Sequence, residues 1–334
     1  MTNRERLLNA VRRKPTDYCP HNIGLTYQAF ERLCEYTGDK NYFSIHANNH
    51  IDGISIDREE EIKPGFFKDI FGVVWDKTGA DKDIGVIRGQ VIPEPDMSFL
   101  KLPEIDESSL RQSLKWLEEK DESVARIFFI GFSMYERAWT LRGMEDFLCD
   151  MVSEEDFTFK LMEKLCDFNC KLLDIALEYD LDGVYFGDDW GQQKGLIMGP
   201  ALWKKYIKPY FAKMFEKVKS KNKIVLLHSC GDINELFPDL IEIGLDVYNT
   251  FQPEIYDMKK FKRDFGKDLS VWGGISTQRD LPYISPKEVK ELTYRTIEIM
   301  SDGGGYIASP THAVEFDVSP ENIVALIEAF NNQK

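Results

Sequence analysis

The sequence lacks any apolar run near the ~18 residues that a membrane-spanning helix needs, so we expect no transmembrane segment. Residues 1–15 are polar and charged, so we also expect no secretory signal peptide. Positive charge is scarce, because 42 Lys and Arg stand against 57 Asp and Glu and leave a net charge of −15. This deficit argues against binding to nucleic acid or to an anionic membrane, both of which require basic patches.

Cysteine is also sparse, with six in 334 residues. The six are scattered along the chain and do not form a disulfide framework. Cys166 and Cys170 share one face of a predicted helix, where core packing is the expected role. We therefore expect a reduced, cytoplasmic protein. The rest of the composition, 43% apolar and 30% charged, is that of an ordinary globular protein.

Apolar, β-branched runs alternate with helical segments along the chain, which predicts eight strands. The candidate strands are 21–26, 52–56, 127–132, 183–189, 224–228, 247–251, 269–274 and 305–309. A helix at 2–14 precedes them, and a β-hairpin insertion at about 66–92 follows the second strand. Eight βα units in one chain of this length predict an α/β fold, a single (β/α)8 TIM barrel over residues 1–334. A doubly wound sheet is the alternative, but no Gly-x-Gly-x-x-Gly follows an early strand.

The segment KIVLLHSCGDI, at 223–233, brings two metal-binding residue types together at a strand end. Residues two apart in extended backbone face the same side, so His228 and Cys230 converge on one point. An imidazole nitrogen and a thiolate there provide half of a tetrahedral zinc site. The alternative interpretation is a buried cysteine beside a hydrogen-bonded histidine.

Polar residues follow the predicted strands at the end where a TIM barrel carries its active site. His312 follows the eighth strand, where it either completes a His/Cys/His zinc site with an open fourth position or hydrogen-bonds a substrate carboxylate or the backbone. Of Asp188 and Asp189, one must point inward to orient His228 or to hold a substrate cation. The catalytic candidates are Asp188, Asp189, His228, Cys230 and His312. The predicted substrate-binding residues are Tyr135, Trp190, Gln192, Phe251 and Gln252. Glu136 and Arg137 either form a structural ion pair, which is the favoured interpretation, or belong to the site.

Several segments along the whole chain resemble the uroporphyrinogen decarboxylase superfamily. They are NRERLLNAV at 3–11, ERAWTLRGMEDFL at 136–148, GDDWGQQKGLIMGPALWKKYIKP at 187–209, LLHSCGDI at 226–233, GGISTQRDLP at 273–282 and GGGYIASPTHAVEFDVSPENI at 303–323. The resemblance implies a (β/α)8 barrel and one of two activities. One branch decarboxylates uroporphyrinogen, and the other moves methyl groups between corrinoid proteins and thiols such as coenzyme M.

The His228-x-Cys230-Gly231 motif is similar to the methyltransferase branch, whose zinc is held by a His-x-Cys pair and a cysteine after the last strand. Here the position of that last cysteine falls on His312, so the resemblance implies zinc on His228, Cys230 and His312. It also implies methylcobalamin supplied by a small corrinoid partner protein, with a small thiol or methyl donor as the other substrate. The N-terminal arginine-rich loop of the decarboxylase branch is replaced by HNIGLTY at 21–27, which carries no arginine for an eight-carboxylate tetrapyrrole.

Two further functions remain open at this level. One is a cofactor-free decarboxylase of a small carboxylic acid, with Asp188 or Asp189 as the electrostatic group and His312 as the acid. The other is a non-catalytic barrel that binds a corrinoid protein or a tetrapyrrole. The sequence does not indicate an oligomeric state.

Overall fold

Strands and helices alternate along most of the chain in the computed structural model, which describes residues 1–79 and 84–333. The strands are β1 Ile51–Ser55, β2 Glu59–Lys63, β3 Phe66–Asp69, β4 Val74–Asp76, β5 Val86–Ile87, β6 Ala125–Ile130, β7 Gly183–Gly187, β8 Gly191–Gln192, β9 Gly195–Leu196, β10 Ile224–His228, β11 Val247–Phe251, β12 Ser270–Ile275 and β13 Tyr306–Pro310. The helices are α1 Asn3–Val11, α2 Tyr27–Thr37, α3 Tyr42–His46, α4 Glu107–Glu119, α5 Tyr135–Arg142, α6 Met144–Ser153, α7 Glu155–Ala176, α8 Gly199–Tyr206, α9 Lys208–Lys219, α10 Phe237–Glu242, α11 Met258–Phe265, α12 Pro286–Ser301 and α13 Pro320–Asn331. Short 3₁₀ turns occupy Met97–Phe99 and Asn234–Leu236.

Seven strands form one parallel sheet in the order β1-β6-β7-β10-β11-β12-β13. Each is covered on its outer side by the helices that connect it to the next, which is the arrangement of a TIM-like α/β barrel. Seven of the eight predicted strands are therefore present, and β10 and β11 have the predicted bounds. The N-terminal helix is also confirmed, with Thr2 as its cap in a capping box with Glu5.

The first predicted strand, at 21–26, is the exception. Its backbone makes two isolated parallel bridges instead, from His21 to Ala308 and from Leu25 to Val314. On its other side, the His21 carbonyl accepts the N–H of His50 at 3.1 Å, directly before β1. The segment thus connects the two edge strands of the sheet, but without the continuous ladder that the sequence pattern predicted.

The predicted hairpin region contains a larger structure. Strands β2 to β5 form a four-stranded antiparallel sheet, and the last pair aligns Trp75 with Ile87. Within the predicted insertion at about 66–92, β4 covers Val74–Asp76 and β5 covers Val86–Ile87. The turn of the predicted hairpin includes 80–83, which lie outside the described residues.

The apolar core has two parts. The larger lies between the sheet and its helices. The smaller fills the inside of the sheet, where Leu7 and Val11 of α1 pack against Leu226, Val247 and Ile307. Helix α1 therefore closes the amino end of the barrel, and the opposite end, where the strands finish, is left for the site.

In the part of the chain that the structure describes, every helix is too short or too polar to cross a membrane.

A buried histidine pair lies beside the first segment of the barrel. His21 and His50 are fully buried, with ring centroids 4.6 Å apart, and Arg6 lies 3.1 Å from Nε2 of His50. Burial lowers the pKa of His21 to about 4. The pKa of His50 is lowered to about 2, first by burial and then by the neighbouring charges of His21 and Arg6. Both imidazoles are therefore neutral in the folded protein.

This pair predicts a loss of stability in mild acid. Folding lowers the pKa of both histidines, so in mild acid the unfolded chain binds protons that the folded chain does not bind. The folded state is therefore fully stabilised above the unfolded pKa of about 6.5 and loses this stability as the pH falls below it. At pH 5 the loss is about 2 kcal/mol for each histidine. Urea unfolding at pH 7.5 and pH 5 measures it. The His21→Gln and His50→Gln double variant should show a clearly smaller difference between the two pH values, and an equal difference would contradict the assignment.

Candidate metal centre

Three ligand-type side chains converge where β7 and β10 end. The Sγ atom of Cys230 lies 3.4 Å from Nε2 of His228. One carboxylate oxygen of Asp189 lies 3.5 Å from the same nitrogen. The three ligand atoms lie within 4.8 Å of one another. Convergence of His228 and Cys230 at the strand end was predicted, and Asp189 is the member that the structure adds as a direct neighbour.

These separations match a shared tetrahedral ion. Zinc binds nitrogen at about 2.0 Å, oxygen at about 2.0–2.2 Å and sulfur at about 2.3 Å, so two of its ligands stand roughly 3.3–3.6 Å apart. The measured 3.4 and 3.5 Å fall in this range. The residues present therefore fit a divalent ion held by one nitrogen, one sulfur and one oxygen.

Asn249 determines which nitrogen of His228 is available. Its side-chain NH₂ donates to the Trp272 carbonyl at 3.0 Å, so its oxygen faces the Tyr185 hydroxyl at 3.0 Å and Nδ1 of His228 at 2.6 Å. That oxygen can only accept, so Nδ1 carries the proton. The lone pair is then on Nε2, which faces Cys230 and Asp189, as expected of a metal ligand whose other nitrogen is held by an outer hydrogen bond.

The turn after Cys230 depends on a glycine. Gly231 has φ +79°, and a β-carbon there would lie 2.3 Å from the Gly191 backbone. Its N–H donates to the side-chain oxygen of Gln252 at 2.8 Å, and the N–H of Cys230 donates to Asp189 at 2.7 Å. The thiol is thus positioned by its own backbone contacts. The substrate-binding role predicted for Gln252 stays a prediction, and the contact seen is with this turn.

Asp188 and Asp189 point in different directions. Asp188 is fully buried, and its carboxylate accepts the backbone N–H groups of Met134, Tyr135 and Glu136 at 2.8–3.2 Å and the indole N–H of Trp190 at 2.6 Å. It therefore caps the N-terminus of α5. Asp189 contacts the His–Cys pair and Asp188 does not, and the predicted role of an aspartate in orienting His228 or holding a substrate cation stays a prediction.

Within the described part of the chain, Glu136 does not form the ion pair with Arg137 that the sequence favoured. The Arg137 guanidinium binds Asp69 at 2.7 Å instead. Burial, and then the nearby charges of Asp189 and Asp188, raise the pKa of the Glu136 carboxyl well above its ordinary value. Sequence reasoning missed this proximity because Glu136 follows β6 and Asp189 follows β7, and only the cap formed by Asp188 brings them together.

The electrostatics of Cys230 are those of a thiol that needs a cation. Burial, and then the charges of Asp189 and Glu136, raise the pKa of the Cys230 thiol. A bare thiolate is therefore disfavoured here, and a bound divalent ion would reverse this preference.

His312 lies at the rim, with its ring centroid 5.9 Å from that of His228. It is exposed, and it falls outside the set of ligand atoms within 4.8 Å. Its predicted role as a third metal ligand stays a prediction.

Three of the predicted substrate-binding residues are buried away from the mouth, and their substrate-binding role stays a prediction. Trp190, Tyr135 and Phe251 are all completely buried. Trp190 packs on Trp203 behind the sheet, and Tyr135 packs on Phe147. Phe251 faces outward because the register is irregular between Asn249 and Phe251, which reverses the alternation expected along β11. Gln192, on β8, is exposed, so its predicted role is untested.

The floor of the mouth is aromatic. Tyr185 lies 4.9 Å from Phe129 and 5.7 Å from Trp272, measured between ring centroids. A β-carbon on Gly53 would lie 2.3 Å from the Phe129 ring, so the glycine lets this ring lie against β1. The indole N–H of Trp272 is buried without a hydrogen-bond partner. None of these floor residues was singled out from the sequence, although the period-two pattern of β7 and β12 places Tyr185 and Trp272 inside.

Fold and site together define a TIM-like α/β barrel with a His–Cys–Asp cluster at the carboxyl ends of its strands. The family model described as uroporphyrinogen decarboxylase (URO-D) matches residues 80–333, and the chain belongs to this family.

Known proteins that are similar to this chain at 16–25% sequence identity are consistent with this family membership. A uroporphyrinogen decarboxylase of Myxococcus xanthus is 25% identical, with 97% of this chain and 95% of that protein covered. One from Coxiella burnetii is 23% identical over 80% of this chain and 76% of its own length. Among solved structures, a methyltransferase from Methanosarcina mazei superposes with a TM-score of 0.71 at 16% identity, covering 99% of this chain and 98% of that one, which shows a shared fold.

Proposed function

We propose that this protein is a zinc-dependent methyltransferase that moves a methyl group between a corrinoid protein and a small thiol or methyl donor. His228, Cys230 and Asp189 would hold the ion, and His312 lies at the rim with its ring centroid 5.9 Å from that of His228. The observation that carries the proposal is the convergence of Nε2, Sγ and a carboxylate oxygen at mutual distances that suit one tetrahedral ion.

The donor set differs from the His228, Cys230 and His312 set that the resemblance implied. Asp189 takes the third position in this proposal because its oxygen already lies 3.5 Å from Nε2 of His228. Three protein ligands leave one position open, which is the pattern of catalytic rather than structural zinc.

Bound zinc would supply one piece of chemistry, which is to deprotonate a substrate thiol at neutral pH. The protein supplies the rest. Asn249 keeps the proton of His228 on Nδ1, the Gly231 turn presents Cys230, and the aromatic floor of Phe129, Tyr185 and Trp272 keeps the inside of the mouth apolar. In the transfer itself the cobalt–carbon bond breaks, a sulfur–carbon bond forms, and cobalt retains the electron pair as cob(I)alamin.

One further observation favours methyl transfer over decarboxylation of uroporphyrinogen. Among the described residues, Asp189 and Asn249 are hydrogen-bonded to the His–Cys pair and carry no positive charge, whereas an octacarboxylate tetrapyrrole would require cations there. The relatives at 23–25% identity are uroporphyrinogen decarboxylases, which favours decarboxylation instead. The assay must therefore distinguish methyl transfer from decarboxylation.

The test is a methyl-transfer assay with zinc-loaded protein, methylcobalamin and a panel of small thiols. The proposal expects conversion of methylcobalamin to cob(I)alamin, followed by its visible absorbance under anoxic conditions, that requires both zinc and thiol. The Cys230→Ala variant should reduce the rate by at least ~10²-fold, because the metal is no longer held. Carbon dioxide release from a small carboxylic acid by metal-free protein, with no methyl transfer, would establish the decarboxylase. Tight corrinoid binding without turnover would establish a non-catalytic barrel.

A further inference from the structure

A second pair of ligand-type side chains lies on α7, outside the His–Cys–Asp cluster. Cys166 and Cys170 are one helical turn apart, so they share a face of the helix, and their sulfurs are 4.0 Å apart. Cys166 is fully enclosed, whereas Cys170 borders an open groove of about 940 Å³ between residues 102–107 and α7. The pair is therefore reached from solvent on the Cys170 side.

The spacing of the two sulfurs suits a metal ion of low coordination number. With metal–thiolate bonds of about 2.3 Å, two sulfurs 4.0 Å apart subtend an angle of about 120° at a shared ion. A tetrahedral ion would hold them about 3.8 Å apart, and a linear one about 4.6 Å apart. The observed distance is that of a trigonal ion, and it requires no change in the helix.

The surroundings of the pair do not suit zinc. Among the described residues, no third histidine, cysteine or acidic ligand atom joins the two sulfurs within 4.8 Å. Asp167, the next residue along α7, is bound to Lys213 at 2.9 Å, and the other polar neighbour of the Cys166 sulfur is the Tyr210 carbonyl at 3.9 Å. Structural zinc takes four donors, whereas thiolates alone select soft ions such as Cu(I).

The local charge favours thiolate at one member of the pair. The hydrogen bond from the Cys166 thiol, and then the charges of Lys213 and Lys217, lower the pKa of Cys170 to about 7, against the opposing effect of burial. A thiolate is the form of cysteine that binds metal. Two thiolates and one monovalent ion carry a net charge of −1, which the same two ammonium groups offset in part.

We propose that Cys166 and Cys170 form a second metal site, in which their two thiolates bind one soft monovalent ion of the Cu(I) type. The protons of both thiols leave to solvent, and the ion keeps its oxidation state. The inference is independent of the proposed methyl transfer, because neither cysteine belongs to the His–Cys–Asp cluster.

The probe for this site is Cu(I), supplied as its bicinchoninate complex and titrated without oxygen into metal-free Cys230→Ala protein. This background removes the thiolate of the His–Cys–Asp cluster, so copper transfer reports on the remaining cysteines. Two further variants on the same background carry either Cys170→Ala or Cys149→Ala, and each loses one thiol. Cys149 is an exposed, free cysteine on α6, which makes it the matched control.

The expected result is that only one of these two variants loses copper affinity. The Cys230→Ala protein should take up about one Cu(I) per chain, and adding Cys170→Ala should weaken this binding at least ~100-fold. Adding Cys149→Ala should leave the affinity within about twofold. Affinity that is unchanged by Cys170→Ala, or lowered equally by Cys149→Ala, would overturn the proposal.

A second measurement needs no change at the pair. X-ray absorption at the copper edge is recorded on zinc-free wild-type protein that holds one equivalent of Cu(I). Two sulfur neighbours at about 2.3 Å would support the site on α7. One sulfur together with a nitrogen would place the copper on His228 and Cys230, which would overturn this inference and leave the proposed metal centre in place.

Discussion

Replacing Cys230 with alanine is expected to lower the zinc content of the purified protein from about one ion per chain to near zero. The sulfur lies 3.4 Å from Nε2 of His228, and no other cysteine is a member of the described His–Cys–Asp cluster. Three or four ligands share roughly 10–16 kcal/mol of zinc binding free energy, so loss of the thiolate should weaken binding by about a thousandfold. Metal analysis by mass spectrometry after dialysis measures the content.

The chain provides matched controls for this experiment. Cys170 is a buried cysteine on α7 whose sulfur lies 4.0 Å from that of Cys166, so Cys170→Ala should retain full zinc. Asp189→Asn and His312→Ala then identify the third ligand, since the proposal expects the larger loss of zinc from Asp189→Asn. Full zinc in Cys230→Ala would remove the basis of the metal centre.

Replacing Asp188 with alanine is expected to cost about 3–5 kcal/mol of unfolding free energy, because four buried N–H donors lose their acceptor. Burial raises the pKa of Asp188 to about 6, because removal from water disfavours the charged carboxylate. The four hydrogen bonds favour the charged form and offset part of this effect. Urea unfolding at pH 7.5 measures the loss. Asp188→Asn should lie between wild type and alanine, since its amide keeps one accepting oxygen but turns an NH₂ toward the backbone donors.

The neighbouring aspartate supplies the contrast. Asp189 is about one-third exposed and faces the metal cluster. Asp189→Asn should therefore change the unfolding free energy by less than about 1 kcal/mol in metal-free protein, while zinc binding falls. A large stability loss in Asp189→Asn with none in Asp188→Ala would reverse the roles that the structure assigns to the pair.

Much of the fold follows from local pattern. The runs at 224–228 and 247–251 are rich in aliphatic, β-branched and aromatic residues and are followed by turn residues, and both have the predicted bounds. The segment at 21–26 was predicted as a strand from the same kind of local pattern, and here the prediction was wrong. Its backbone is satisfied by isolated bridges to Ala308 and Val314, and bridging partners nearly 300 residues away leave no local signal.

For the site as well, local sequence pattern predicted some features and missed those that depend on distant contacts. The His228–Cys230 pair was predictable because spacing by two along a strand fixes a common face. Asp188 and Asp189 were predictable as a pair but not in their separate directions, because α5 decides which one is occupied by backbone N–H groups. Phe251 was misplaced by one irregularity in the register of β11. Glu136 and Asn249 needed contacts between strands that only the folded chain supplies.

X-ray absorption spectroscopy at the zinc edge shows directly whether Nε2 of His228 and Sγ of Cys230 share one divalent ion. If they do, the spectrum contains one sulfur neighbour at about 2.3 Å together with nitrogen and oxygen neighbours at about 2.0–2.2 Å, and the sulfur shell is lost in Cys230→Ala. A spectrum with no sulfur neighbour in the wild-type protein would contradict a shared ion.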